Sequence, residues 1–218
     1  MKIRLNQKTI PILATIAVFF LIYTIGSFMY SGFFSLRVFT NLFIDNAFVG
    51  VIAVGMTFVI ISGGIDLSVG SVIAFVGVLT AKLIHVYHIH PVPVIILALL
   101  FGALFGFTMG CLIHFFNLPP FLVTLVGMFL ARGLAFLTSL DAIPIKHPFI
   151  ERIVDFGIPL GFRAWLPATG IMFIIVVLIG IYLSHFTRFG RNTYAIGGNE
   201  QSAILMGLPV GKTKVLIY

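Results

Sequence analysis

The residues with chemistry to offer cluster at a polar interruption between two apolar runs: Ser62, Gly63, Gly64, Asp66 and Ser68. Residues 46–61 are almost wholly hydrophobic, and the pattern resumes after Ser71 as far as Ile84. Two adjacent glycines end a helix at little cost, because they reach backbone shapes that other residues avoid. Asp66 or Ser68 can then cap a new helix by accepting a hydrogen bond from an orphan N–H. A carboxylate between lipid-length apolar runs is expensive. Irregular backbone at membrane depth is tolerated only against protein or a water-filled cavity. The break is therefore a candidate lining for a passing solute, with a purely structural cap as the other reading of Asp66. Thr124 and Arg132 are further polar candidates. Arg132 lies roughly 18 Å along its apolar run, where it either reaches the interface or faces a polar path.

Other reactive-looking groups carry less. His85, His88 and His90 sit in one turn, but no carboxylate or cysteine joins them. They read as a solvated loop rather than a metal site. The single cysteine, Cys111, lies inside an apolar run and reads as a small buried hydrophobe. Gly207-Leu-Pro-Val-Gly211-Lys-Thr imitates a phosphate-binding loop with three residues between its glycines where four are needed, and no strand precedes it. Nucleotide binding by this chain is rejected on that ground. With no nucleophile–base pair and no metal set, the chain is not expected to be an enzyme.

The elements that position these residues follow from composition. Of 218 residues, 60% are hydrophobic and 9% charged, against about 25% charged in soluble domains. Mean hydropathy is +1.19. The fold class is an all-α integral membrane protein, because the apolar runs are continuous rather than alternating as in a barrel. Six crossings are predicted: 10–30, 46–62, 68–84, 93–116, 120–140 and 167–185, the second and third being the arms of a broken-helix hairpin at 62–71. The first exceeds the apolar core of a cleaved signal peptide. Residues 31–45 suit a shallow amphipathic stretch, and 141–163 a polar loop. Gly102, Gly106 and Gly110 form a flat packing seam. The net charge of +7 orients helices rather than marking a nucleic-acid surface. Lys2, Arg4, Lys8, Arg188, Arg191, Lys212 and Lys214 fall on one side, and Arg37, Lys82, Lys146, Arg152 and Arg163 on the other. The modest bias puts the N-terminus, the break and 187–214 in the cytosol.

Within 187–214, residues 199–207 read as a short helix with both ends marked. Asn199 is a candidate N-cap, and Glu200 favours the positive helix start. Gly207 fits the left-handed position after the last turn, and Pro209 forbids continuation. Ala203, Ile204 and Met206 would leave an apolar patch outside the bilayer, which wants a partner or lies on lipid.

At SGGIDLSVGS (62–71) and RFGRNTYAIGGNEQSAILMG (188–207) the chain resembles the membrane permeases of bacterial sugar ABC importers of the ribose type. TLVGMFLARG (124–133) and IPIKHP (143–148) draw it toward permeases of galactofuranose importers within that family. The resemblance implies a bacterial inner-membrane permease domain over 1–218, with 187–214 as its cytosolic coupling loop. Family members have about ten spans, so the chain reads as the first part of one. The implied partners are ABC ATPase subunits, which use ATP and Mg, a second and different permease chain, and a periplasmic sugar-binding protein. No cofactor is expected on this chain. The implied ATPase contacts are Asn199, Glu200, Gln201, Ala203, Met206 and Gly207. Ser62, Gly63, Gly64, Asp66, Ser68, Thr124 and Arg132 would border the sugar path. The rival reading is an ion-coupled secondary transporter, for which a broken helix with a lone carboxylate is typical. A non-transporting scaffold is a further alternative.

Overall fold

The computed structural model describes residues 10–161 and 164–218. The basic residues Lys2, Arg4, Lys8 and Arg163 therefore lie outside the described residues. Apolar sequence forms helices here because a backbone in lipid must satisfy its own N–H and C=O groups. In chain order these are α1 (Ile10–Met29), α2 (Leu36–Asp45), α3 (Ala47–Ile61), α4 (Val69–His85), α5 (Pro91–Phe115), α6 (Pro120–Thr138) and α7 (Pro148–Asp155). A two-stranded antiparallel hairpin follows, β1 (Gly157–Gly161) and β2 (Ala164–Pro167). Its register sets Ile158 opposite Leu166 and Pro159 opposite Trp165. The chain ends with α8 (Ala168–Phe186), α9 (Arg188–Gly198), α10 (Glu200–Leu205) and α11 (Val210–Ile217).

The crossings need one correction. Among the described residues α1, α5, α6 and α8 are long and apolar enough to span, and α2 with α3 makes a fifth if that pair, bent by 49°, counts as one. At 1.5 Å per residue the 15 residues of α3 and 17 of α4 reach about 22 and 25 Å, short of a bilayer core of about 30 Å. The break itself is the reason, since 62–68 withdraws residues that either helix would need.

A second difference concerns the partners of α3 and α4. They do not pair as the two legs of a hairpin. Helix α3 packs on α8, whereas α4 packs on α6 and α5. Both are apolar on nearly every side, so the choice of neighbour falls to packing detail rather than to a hydrophobic stripe.

The expected amphipathic stretch and polar loop are more ordered than the sequence suggests. Ser35 caps α2, its hydroxyl oxygen accepting from the Val38 N–H at 3.3 Å. Helix α2 then rests on β2, α3 and α8. His147 caps α7 through Nδ1, which accepts from Phe149 N–H at 3.1 Å. The buried core is small. One cluster is Met109, Ile113 and Val123 with Phe105 and Tyr218 against it, and the other is Ile196, Ala203 and Val210. Most large apolar side chains face outward, as lipid-facing helices require.

Three tertiary contacts fix which helix ends lie together. The hydroxyl of Thr124, one turn into α6, is shared between the Pro120 carbonyl of its own helix at 2.8 Å and the Ile65 carbonyl of the break at 3.3 Å. Lys82, near the end of α4, donates to the Thr138 carbonyl at the end of α6 at 2.6 Å. A Cβ on Gly211 in α11 would overlap the His114 ring near the end of α5. The break, the α5–α6 turn and α9–α11 thus share one end of the bundle. The α4–α5 turn, the α6 terminus, α7 and the strand hairpin share the other.

Candidate functional site

The break is built from local signals. Helix α3 closes on Gly63, at φ +79°, where only glycine is unstrained. The Gly64 N–H reaches back to the Val59 carbonyl at 2.9 Å and the Gly63 N–H to that of Ile60 at 3.0 Å. This double closure satisfies carbonyls that a helix end leaves orphaned. Ser62 turns its hydroxyl onto the Val59 carbonyl at 2.7 Å. Asp66 then organises the start of α4. Its Oδ1 accepts from the backbone N–H of Ser68 and from the Ser68 hydroxyl, each at 2.7 Å. Ser68 is buried, so this one oxygen satisfies two donors that water does not reach. The Asp66 carboxylate is half-buried and borders a cavity of about 170 Å³, which Ser68, Phe105 and Tyr218 also line.

Thr124 is fully buried and bridges α6 to the break through Ile65, so it stands with the break residues. Arg132 does not. It is exposed on α6, about 9 Å from that helix's far end, and makes no hydrogen bond or ion pair among the described residues. The histidines act as helix caps and turn residues. His90 Nδ1 accepts from Val92 N–H at 3.3 Å, and no metal-competent group of His, Cys, Asp and Glu occurs among the described residues.

The short helix at the same end has the ends its sequence marks. Asn199 Oδ1 accepts from the Ser202 N–H at 2.8 Å. Gly207 sits at φ +74°, with its own N–H on the Ile204 carbonyl at 2.9 Å and the Leu208 N–H on that of Ala203 at 3.1 Å. The closure at Gly207 therefore repeats the one at Gly63. Two expected contacts change. Ala203 is completely buried against Ile196 and Val210, so it faces inward and offers no outward contact. It is the smallest apolar residue of α10, and so the one that packs closest. The outward apolar face is instead Ile204, Leu205 and Met206, with Leu205 87% exposed. Leu205 is absent from the sequence-based set, although a helix capped at Asn199 with Ala203 inward must turn it out. Glu200 is engaged within the chain by Lys214 Nζ at 2.6 Å, which leaves Gln201 and Ser202 as exposed polar residues beside the face.

The two features touch. A Cβ on Gly197, at the end of α9, would overlap the Ile61 carbonyl and approach Ser62 Cα at 3.3 Å. Phe189 of α9 meets Phe58 of α3 with ring centroids 5.2 Å apart. From the other side α11 runs along α5, its Tyr218 hydroxyl donating to the Ile65 carbonyl at 3.5 Å. No local pattern reveals Gly197, Phe189 or Tyr218, because their role is long-range proximity.

Comparison with known proteins finds relatives among membrane transport permeases. The chain is 49% identical over 214 residues to the inner membrane ABC transporter permease protein YjfF of Escherichia coli, a match covering 97% of this chain and 64% of that protein. It is 39% identical to the fructose import permease protein FruG of Bifidobacterium longum over 99% of this chain and 65% of the relative. The ribose import permease protein RbsC of Escherichia coli is 34% identical over 86% of this chain and 58% of its own length. The chain thus spans somewhat less than two thirds of these relatives. No solved structure matches it. The family described as branched-chain amino acid transport system / permease component matches residues 38–218, and a chain matched from α2 through the break to α11 belongs to that family of membrane transport permeases, not of enzymes.

Proposed function

We propose that this chain is a permease subunit of a binding-protein-dependent ABC importer for a sugar, and that galactofuranose is its sugar. The single observation behind the reading is α10. It is a doubly capped helix outside the apolar spans whose outward face, Ile204, Leu205 and Met206, is exposed at the bundle end that holds the break. An apolar face of that kind fits a cleft on a separate ATPase, which binds and hydrolyses Mg-ATP in place of this chain. Relatives named for fructose, ribose and arabinose import support a sugar as cargo. The galactofuranose assignment rests on the sequence resemblance.

In this reading the protein lies in a bacterial inner membrane with its N-terminus cytosolic. It pairs with a second, different permease chain and receives sugar from a periplasmic binding protein. It has no nucleic-acid partner. ATP-driven closure of the ATPases displaces α10, and the spans alternate between outward and inward access. The half-buried Ser62 hydroxyl and Asp66 carboxylate are the partners offered to a polyol beside the path, while the buried Ser68 and Thr124 hold the break in place behind them.

The test is co-purification and uptake. The full-length permease, expressed with its neighbouring transport genes, is expected to retain an ATPase subunit, and Leu205→Glu is expected to release it. In vesicles, galactofuranose uptake is expected to need ATP, to survive an uncoupler and to resist competition by ribose, fructose or arabinose. Uptake that collapses with the proton gradient while ATP persists would replace the importer reading with an ion-coupled carrier. Preference for another sugar would overturn the galactofuranose assignment alone.

A further inference from the structure

We propose that α9 is a rigid clamp that makes the break move with α10, and that Gly197 is its positioning residue. The inference rests on the ATP-driven reading above. Helices α3 and α8 pack on each other and both carry α9, whereas α4, α5 and α6 pack together, with α11 bridging α5 to α9. The break at 62–68 is the short covalent joint between the two groups, and residues 139–167, from α6 to α8, are the long one.

Two contacts hold α9 to the α3 side of that joint. Gly197 lies so near the Ile61 carbonyl that any side chain there would collide with backbone rather than with a movable rotamer. Phe58 and Phe189 supply the second point at 5.2 Å. Phe189 is eight residues before Gly197, about 12 Å along the helix, so the two points fix orientation as well as position. Helix α9 is equally bound to α10. The Asn199 N–H bonds the Ala195 carbonyl at 3.1 Å, and Ile196 is buried with Ala203 and Val210. With no slack between α10 and α9 or between α9 and α3, a push on the exposed face of α10 arrives at Ile61 and Ser62. Packed cores shift between discrete arrangements rather than deform continuously, so the movement is taken up at the glycine-rich joint.

The test uses the full-length permease with its ATPase and sugar-binding protein. Gly197→Val must push α9 away from Ile61, yet it leaves the outward face of α10 intact. The expected result is normal retention of the ATPase, continued ATP hydrolysis and a fall of about tenfold in sugar moved per ATP. Gly198→Val, where an added Cβ meets nothing within 4 Å, is expected to stay within about twofold of wild type. Equal coupling in Gly197→Val and wild type, or equal loss in both variants, would overturn the clamp. A second measurement serves if Gly197→Val fails to assemble. Phe58→Cys/Phe189→Cys in a Cys111→Ser background is joined by a short bifunctional thiol reagent. A rigid clamp predicts that the linked complex transports like the unlinked one. Loss of uptake on linking, recovered on cleaving the linker, would show that α9 and α3 separate during the cycle and would sink the proposal. Wild-type complex that does not import with ATP would instead sink the permease reading, so the two failures are distinct.

Discussion

Asp66 carries two tasks on one side chain, and they separate by substitution. Oδ1 holds the Ser68 N–H and hydroxyl, so its removal strands two donors at a site where Ser68 is buried. Loss of a capping acceptor costs about 0.5–2 kcal/mol, and an unsatisfied buried hydroxyl adds to it. Asp66→Ala is therefore expected to lower the stability of the detergent-solubilised permease by about 1–3 kcal/mol, measured by thermal unfolding. Asp66→Asn keeps a carbonyl acceptor and is expected to unfold close to wild type. Uptake divides the roles: if the carboxylate also serves the sugar, Asp66→Asn slows import without losing assembly. Normal import by assembled Asp66→Ala would leave the cap as its whole function. The sequence offers Asp66 and Ser68 as alternative acceptors at this helix start; the structure uses Asp66, on the Ser68 N–H, and the Ser68 side chain caps nothing. The shared oxygen was not legible in the sequence, since it depends on Ser68 turning inward.

At the scale of elements, legibility followed the range of the forces involved. Helix α10 could be bounded to the residue because Asn199 and Gly207 act within one turn of their own positions. Helix α9 was missed, because its sequence is polar and contains three glycines, which disfavour an isolated helix. Tertiary packing overrides that preference where Gly190 and Gly197 approach other backbone. The strand hairpin was missed for a similar reason, two short pieces rich in glycine and proline being held together mainly by each other. The glycine seam of α5 was legible, but its partner was not. Only Gly106 and Gly110 face α11, while a Cβ on Gly102 meets nothing within 4 Å. Opposite signs follow for one substitution. Gly110→Ala sets its Cβ 2.9 Å from Val215 Cα and is expected to destabilise by about 1–3 kcal/mol, as overpacking does. Gly102→Ala gains helix propensity of up to about 1 kcal/mol without a clash. Thermal unfolding of the two variants side by side, with equal or reversed shifts, would contradict the assignment of α11 to this seam.

For the whole molecule, the sorting of helix ends turns a charge count into a prediction of topology. The bundle end with the break, the α5–α6 turn and α9–α11 carries Arg188, Arg191, Lys212 and Lys214, with Glu200 already neutralised by Lys214. The opposite end holds Arg37, Lys82, Lys146 and Arg152, interspersed with Asp45, Asp141, Glu151 and Asp155. Of those four cations Lys82 keeps its charge while donating to the Thr138 carbonyl, and at the break end Lys214 is ion-paired with Glu200. Lysine and arginine near span ends are retained on the cytosolic side, while acids contribute little to orientation. The bias from the described residues is therefore slight on count alone. What sharpens it is placement, because Arg188 and Arg191 lie two and five residues past the end of α8, whereas Arg37, Lys82, Lys146 and Arg152 each stand eight or more residues from the nearest of α1, α5, α6 and α8. The break end is expected to face the cytosol. Single cysteines in a cysteine-free background, Cys111→Ser included, test this with a membrane-impermeant thiol reagent. Asn117→Cys and Gly198→Cys are expected to label in inverted vesicles and to stay protected in intact cells with a permeabilised outer membrane. His88→Cys and Ser139→Cys are expected to do the reverse. Asn117 and Gly198 labelling from opposite sides would break the bundle-end assignment itself. Both labelling from outside would keep the bundle and invert it, which would place α10 beyond the reach of any cytosolic ATPase.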